Sequence, residues 1–106
     1  MALTIYEVVS GGTKKHHPPG GEDWSVLVAA HTPAEARDIA YSETEISRPW
    51  VIYEWGVDAR QSAQPGILRG PFENCPAVCR GWKMYQEDPD SDAQPPPIIE
   101  WTIDET

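Results

Sequence analysis

Trp24-Ser25-Val26-Leu27-Val28-Ala29-Ala30-His31-Thr32-Pro33-Ala34-Glu35 holds the junction that decides the fold. Its first half is a strand: Trp24, Val26, Val28 and Ala30 line one face, and Leu27 and Ala29 the other. Both faces are apolar, which places the strand inside a sheet rather than at its margin. Its second half starts a helix. Thr32 fits the N-cap, Pro33 the first helical position and Glu35 the third, where its carboxylate can reach back to the cap. The helix is predicted over about 33–42, with Ala36, Ile39 and Ala40 as a narrow inner stripe that lets it lie close to the sheet.

Outward from this junction the pattern is mainly β. Leu3 to Val9 carries Ile5, Tyr6, Val8 and Val9 and stops at Ser10-Gly11-Gly12. After the helix, Trp50 to Val57 alternates, with Val51, Tyr53, Trp55 and Val57 on one side and Trp50, Ile52, Glu54 and Gly56 on the other. Residues 58–77 are rich in Gly, Pro and polar side chains and contain Ile67, Leu68 and Phe72 as apolar anchors. Two readings compete beyond them. Asn74 can cap a second helix at 75–86, with Val78, Trp82 and Tyr85 on one stripe, at a cost of about 1 kcal/mol for Gly81. The preferred reading is a strand over Gly81 to Gln86 that returns along Ile98–Ile103 as a C-terminal hairpin. In the returning strand Ile99, Trp101 and Ile103 alternate with Glu100, Thr102 and Asp104, the second set toward water.

The expected architecture is therefore a single α+β domain spanning 1–106. It has an antiparallel sheet of four or five strands and one main helix on one face, in the order ββαβ plus the hairpin. Residues 10–23 and 87–97 are expected as mobile loops. A chain of 106 residues is enough for one core. Of its five tryptophans, Trp24, Trp55 and Trp101 alternate with apolar neighbours and are expected in the core, while Trp50 and Trp82 flank less regular segments.

Charge limits the function. There are 17 acidic and 8 basic residues, a formal charge of −9, which argues against direct binding of nucleic acid, whose phosphates need a basic face. No apolar run approaches the roughly 18 residues of a membrane helix, and the N-terminus lacks the cationic start and apolar stretch of a secretory signal. The expected location is the cytoplasm. Two cysteines with three residues between them close too small a loop to staple a secreted fold.

Motifs for chemistry are thin. Cys75 and Cys79 with His16 and His17 contain zinc-type ligands, but adjacent histidines in a Pro/Gly loop are poor geometry for two of them. A zinc domain is therefore the secondary reading, beside the plainer one of packed thiols and a solvated His pair. Asp88, Asp90 and Asp92 repeat the opening of a calcium loop, yet Ala93 and Ile99 stand where glycine and glutamate are required. His31, with Glu43, Glu45 and Asp58 as partners, is a weak acid–base candidate. Nothing in the sequence reads as an enzyme, and no cofactor is implied.

The asymmetry of charge says more. After Lys83 there is no cation, whereas Glu87, Asp88, Asp90, Asp92, Glu100, Asp104 and Glu105 are acidic. Such a field keeps a domain soluble and blunts an edge strand. It also steers a basic partner. The functional expectation is a non-enzymatic protein–protein interaction module, a small inhibitor or neutralising protein of the immunity or phage-encoded kind. It would cover a basic, nucleic-acid-binding surface of a partner protein with Glu87, Asp88, Asp90, Asp92, Glu100, Asp104 and the aromatic anchor Trp82.

Overall fold

The computed structural model describes residues 2–10, 24–44, 49–72, 83–88 and 90–101. Its elements are β1 (Leu3–Ser10), β2 (Ser25–Ala30), α1 (Pro33–Glu43), β3 (Pro49–Asp58), β4 (Gly66–Phe72), β5 (Met84–Glu87) and β6 (Ile98–Trp101). Among the described residues one helix packs on a six-stranded sheet ordered β4-β2-β1-β3-β5-β6, with every neighbouring pair antiparallel. The class is α+β, as the sequence predicts, with more strands than the four or five expected.

The additional strand is β4. Gly66, Gly70 and Pro71 make its sequence look like a loop, and in a central strand they would be disfavoured. At the sheet margin they are tolerated, because an edge strand has one side with no ladder to complete. β4 also pairs with β2 through two register shifts, so its alternation is broken where Leu68 bulges out. The hairpin reading holds for the other disputed segment: β5 runs from Met84 to Glu87 and pairs with β6, which overturns a helix over those positions. Residues 75–82 lie outside the described residues.

α1 begins as its sequence dictates. Thr32 is extended at φ −141°, and its Oγ1 accepts from the Glu35 amide at 3.0 Å. The Glu35 carboxylate reaches one residue further back than a standard capping box, to the His31 amide at 2.8 Å. At the other end Thr44 returns both its amide and its hydroxyl to the Ala40 carbonyl. Ala36 and Ala40 are fully buried, and their small side chains bring α1 down onto Tyr6 and Val8 of β1, Val26, Val28 and Ala30 of β2, and Ile52 of β3. Each valine or isoleucine enclosed there contributes about 1.5–3 kcal/mol relative to exposure. Arg37, outside the expected stripe, also turns inward.

The opposite face of the sheet is enclosed too. Val9, Val51 and Tyr53 form a second cluster, joined by Trp55 and Met84. Glu7 lies in the same face, completely buried, with Trp55 Nε1 donating to its carboxylate at 3.0 Å. β2 is buried along all six residues, as its two apolar faces predict.

Two expected core residues are not core. Trp24 precedes β2 and is 44% exposed. The β6 residue that packs on the helix-side core is Ile98, while Ile99 is 39% exposed. A third departure has a clear cause. Opposite Ile5 and Tyr6, Trp55 is an extra residue in β3, and Gly56 takes φ +148° to absorb it, a conformation side-chain-bearing residues rarely adopt. The alternation of β3 therefore breaks after Trp55, and Val57 emerges 70% exposed instead of facing inward.

Candidate functional site

β5 and β6 form the hairpin at the far margin of the sheet from β4, and most of the acidic residues singled out above belong to it. Its register is continuous: Met84 faces Trp101, Tyr85 faces Glu100, Gln86 faces Ile99 and Glu87 faces Ile98. Direct partners share a face, so Tyr85, Glu100, Glu87 and Ile98 lie on the helix side.

The connection closes with Asp88 donating its amide to the Pro97 carbonyl at 2.8 Å. The Asp88 carboxylate accepts the Asp90 amide at 2.9 Å, and Ser91 Oγ accepts the Ala93 amide at 3.1 Å. These are the side-chain-to-backbone turns that Asp and Ser favour. Asp88 is thus half-buried and occupied by its own chain, while Asp90, Asp92 and Glu100 are exposed. The segment expected as a mobile loop is also held from α1, because Arg37 Nη1 donates to the carbonyl of the buried Pro96.

Glu87 does not belong to an exposed acidic face. Its side chain is buried, 3.4 Å from Arg37 Nη1, and it accepts the Tyr41 hydroxyl at 2.9 Å. The cation and the hydroxyl donor offset the cost of enclosing this carboxylate. Trp82 and Asp104 lie outside the described residues, as do Cys75, Cys79, His16, His17 and the 11–23 segment. Among the described residues no group of three or more His, Cys, Asp or Glu side chains is placed to hold a metal ion. His31 is exposed and bonded through Nδ1 to Glu35 at 2.9 Å, so the helix cap occupies it. Asp58, offered above as its partner, is instead gripped by Arg60 at 2.7 Å, which holds its carboxyl below the usual range.

Beside the hairpin lies a row of side chains that their sequence positions do not connect. Tyr85 donates its hydroxyl to Glu54 at 3.0 Å. Its ring stands edge-on to Tyr6 with centroids 6.5 Å apart. Burial raises the Tyr85 phenol well above the ordinary tyrosine value, helped by the bond to Glu54 and the charges of Glu54 and Glu100. Tyr6 is raised for the same leading reason, with Glu54 and Glu35 adding to it and a hydrogen bond with Thr4 opposing. Among the described residues no lysine or arginine pairs with Glu54, Asp90, Asp92 or Glu100. Only β-pairing brings Tyr6, Glu54 and Tyr85 together. The usable signal is Glu54, which stands in the row of alternate residues begun by Trp50 and Ile52 in β3.

Chemically, the row offers a negative potential and an aromatic surface to a cation. It has no activated nucleophile among the described side chains. Among the described residues no helix is long and apolar enough to cross a membrane. No protein-family model matches the chain, and no curated protein or solved structure is significantly similar to it.

Proposed function

We propose that this protein is a non-enzymatic acidic interaction module that covers a basic surface of a partner protein, acting as a small inhibitor or neutralising protein in the cytoplasm. The observation that carries this reading is the hairpin: Asp90, Asp92 and Glu100 are exposed on it, with no described cation of the chain paired to them. A charge of −9 on so small a chain extends their field outward. Such a field accelerates encounter with a basic partner, and low-dielectric surroundings strengthen each contact once water is expelled. Where the partner surface binds nucleic acid, the carboxylates take the place of phosphates and the bulk of the domain blocks access.

The test compares wild type with Asp90→Asn/Asp92→Asn/Glu100→Gln. Each protein is immobilised and exposed to lysate at low and high salt, captured proteins are identified, and association rates are measured with the purified partner. The reading expects a basic partner held by wild type at low salt, with association slowed at least about tenfold in the variant. Equal capture and equal salt dependence for both proteins would end it.

A further inference from the structure

The two margins of the sheet are built differently. β4 is a poor template for another strand: Pro71 has no amide hydrogen to offer, two register shifts distort its backbone, and Arg69, Gly70 and Pro71 are exposed. These are the devices by which sheets keep foreign strands away. β6, the opposite margin among the described residues, shows neither proline nor register shift, and the charge it presents is Glu100. It pairs with β5 through four consecutive partners without a shift, and it contains no proline and no lysine. It carries Ile99 at 39% exposure and an exposed Glu100.

We infer that β6 is the docking edge of the protein and that its occupant is a basic extended segment of the partner, added to the sheet as a further strand. The inference rests on the function proposed above and specifies how that partner is held. Backbone hydrogen bonds supply affinity in strand addition, and alternate side chains supply selectivity. A strand laid beside β6 places one residue directly across from Glu100, at a Cβ separation of about 5 Å. Lysine or arginine fits there. Behind Glu100 stand Tyr85 and Glu54, a phenol ring and a second carboxylate on the same face, where a cation gains from both. On the other face the residue across from Ile99 is apolar. The preferred segment therefore alternates cationic with apolar residues.

A second copy of this chain is a worse occupant. Two-fold pairing of β6 with itself brings together two molecules that each carry −9, and the register centred on Glu100 sets that carboxylate against its own counterpart. Like charges across a strand pair are destabilising.

The probes are a short capped peptide of alternating lysine and valine and the same peptide methylated at every backbone nitrogen. The two have equal charge, but only the first can pair with a strand. Calorimetry and amide exchange are measured on the full chain at low and high salt. The unmethylated peptide is expected to bind, to slow exchange along Ile98–Trp101, and to bind about tenfold more tightly than its methylated form, the loss of two or so net backbone hydrogen bonds. Glu100→Lys, at an exposed position, is expected to weaken it at least as much. Equal affinity for both peptides with unchanged exchange along β6 overturns the docking edge and leaves the acidic module standing. Absence of salt-dependent binding to either peptide overturns both.

Discussion

The Arg37 guanidinium lies 3.4 Å from the Glu87 carboxylate, and both side chains are almost wholly enclosed between α1 and β5. The pair joins the helix to the hairpin; Tyr41 also donates to Glu87, and Arg37 also donates to the Pro96 carbonyl and to Asp38. Removing only one partner strands a charge away from water. Arg37→Met is expected to cost about 3–5 kcal/mol in urea denaturation, and Arg37→Met/Glu87→Leu to recover a large part of that loss. A double variant as unstable as the sum of the two single ones would show that the charges do not act on each other.

A comparable argument holds on the opposite face. Glu7 is buried and accepts the Trp55 indole N–H at 3.0 Å. Trp55→Phe keeps most of the ring and removes the donor, so a loss of about 1–3 kcal/mol is expected. In a Glu7→Leu background the same substitution is expected to cost much less. The difference between the two backgrounds, read from a double-mutant cycle, measures the bond.

The helix cap makes stability depend on acid pH. Glu35 accepts the His31 amide first and the imidazole second, and both hold its carboxyl below the ordinary 4.5. A depressed carboxyl stabilises the folded state above its unfolded value, and that contribution disappears as pH falls through the folded one. Melting temperature measured downward from pH 5 is therefore expected to fall less steeply in Glu35→Gln than in wild type. Thr32→Ala, which removes the cap oxygen itself, is expected to cost about 1 kcal/mol at neutral pH.

Tyr85 acts at the other end of the scale. Burial, with the Glu54 carboxylate next, raises its phenol above the ordinary 10.0. The folded state keeps a proton that the unfolded chain releases, so its contribution is complete below that value and is lost as pH rises toward the folded one. Absorbance titration is expected to show one fewer late phenol in Tyr85→Phe. In Glu54→Gln the Tyr85 step is expected to move back toward 10. An unchanged step in Glu54→Gln would remove Glu54 as a cause.

Local sequence carried the helix and the inner strands because their signals are local. Thr32, Pro33 and Glu35 specify a cap within four residues, and the apolar alternation of Val26 to Ala30 needs no distant partner to be read. β4 was hidden because Gly66, Gly70 and Pro71 carry loop chemistry that only a marginal place in the sheet makes acceptable. The inward turn of Glu87 was hidden for the opposite reason. In sequence it is one acid among many, and what separates it is Arg37, fifty residues away. Asp90, Asp92 and Glu100 were legible as acids on one hairpin, but the carboxylate–tyrosine row beside them depends on the register of β3 with β5 and of β1 with β3.

Because proline and bulges spoil one margin of the sheet while the other stays regular, the strand addition proposed for β6 would have a single valence. A molecule with two adhesive sides can propagate head to tail into filaments, but one with a single adhesive side stops after the first union. On the docking proposed above, the stoichiometry would follow from Pro71 as much as from β6: one chain would capture one target and leave nothing for a third to join.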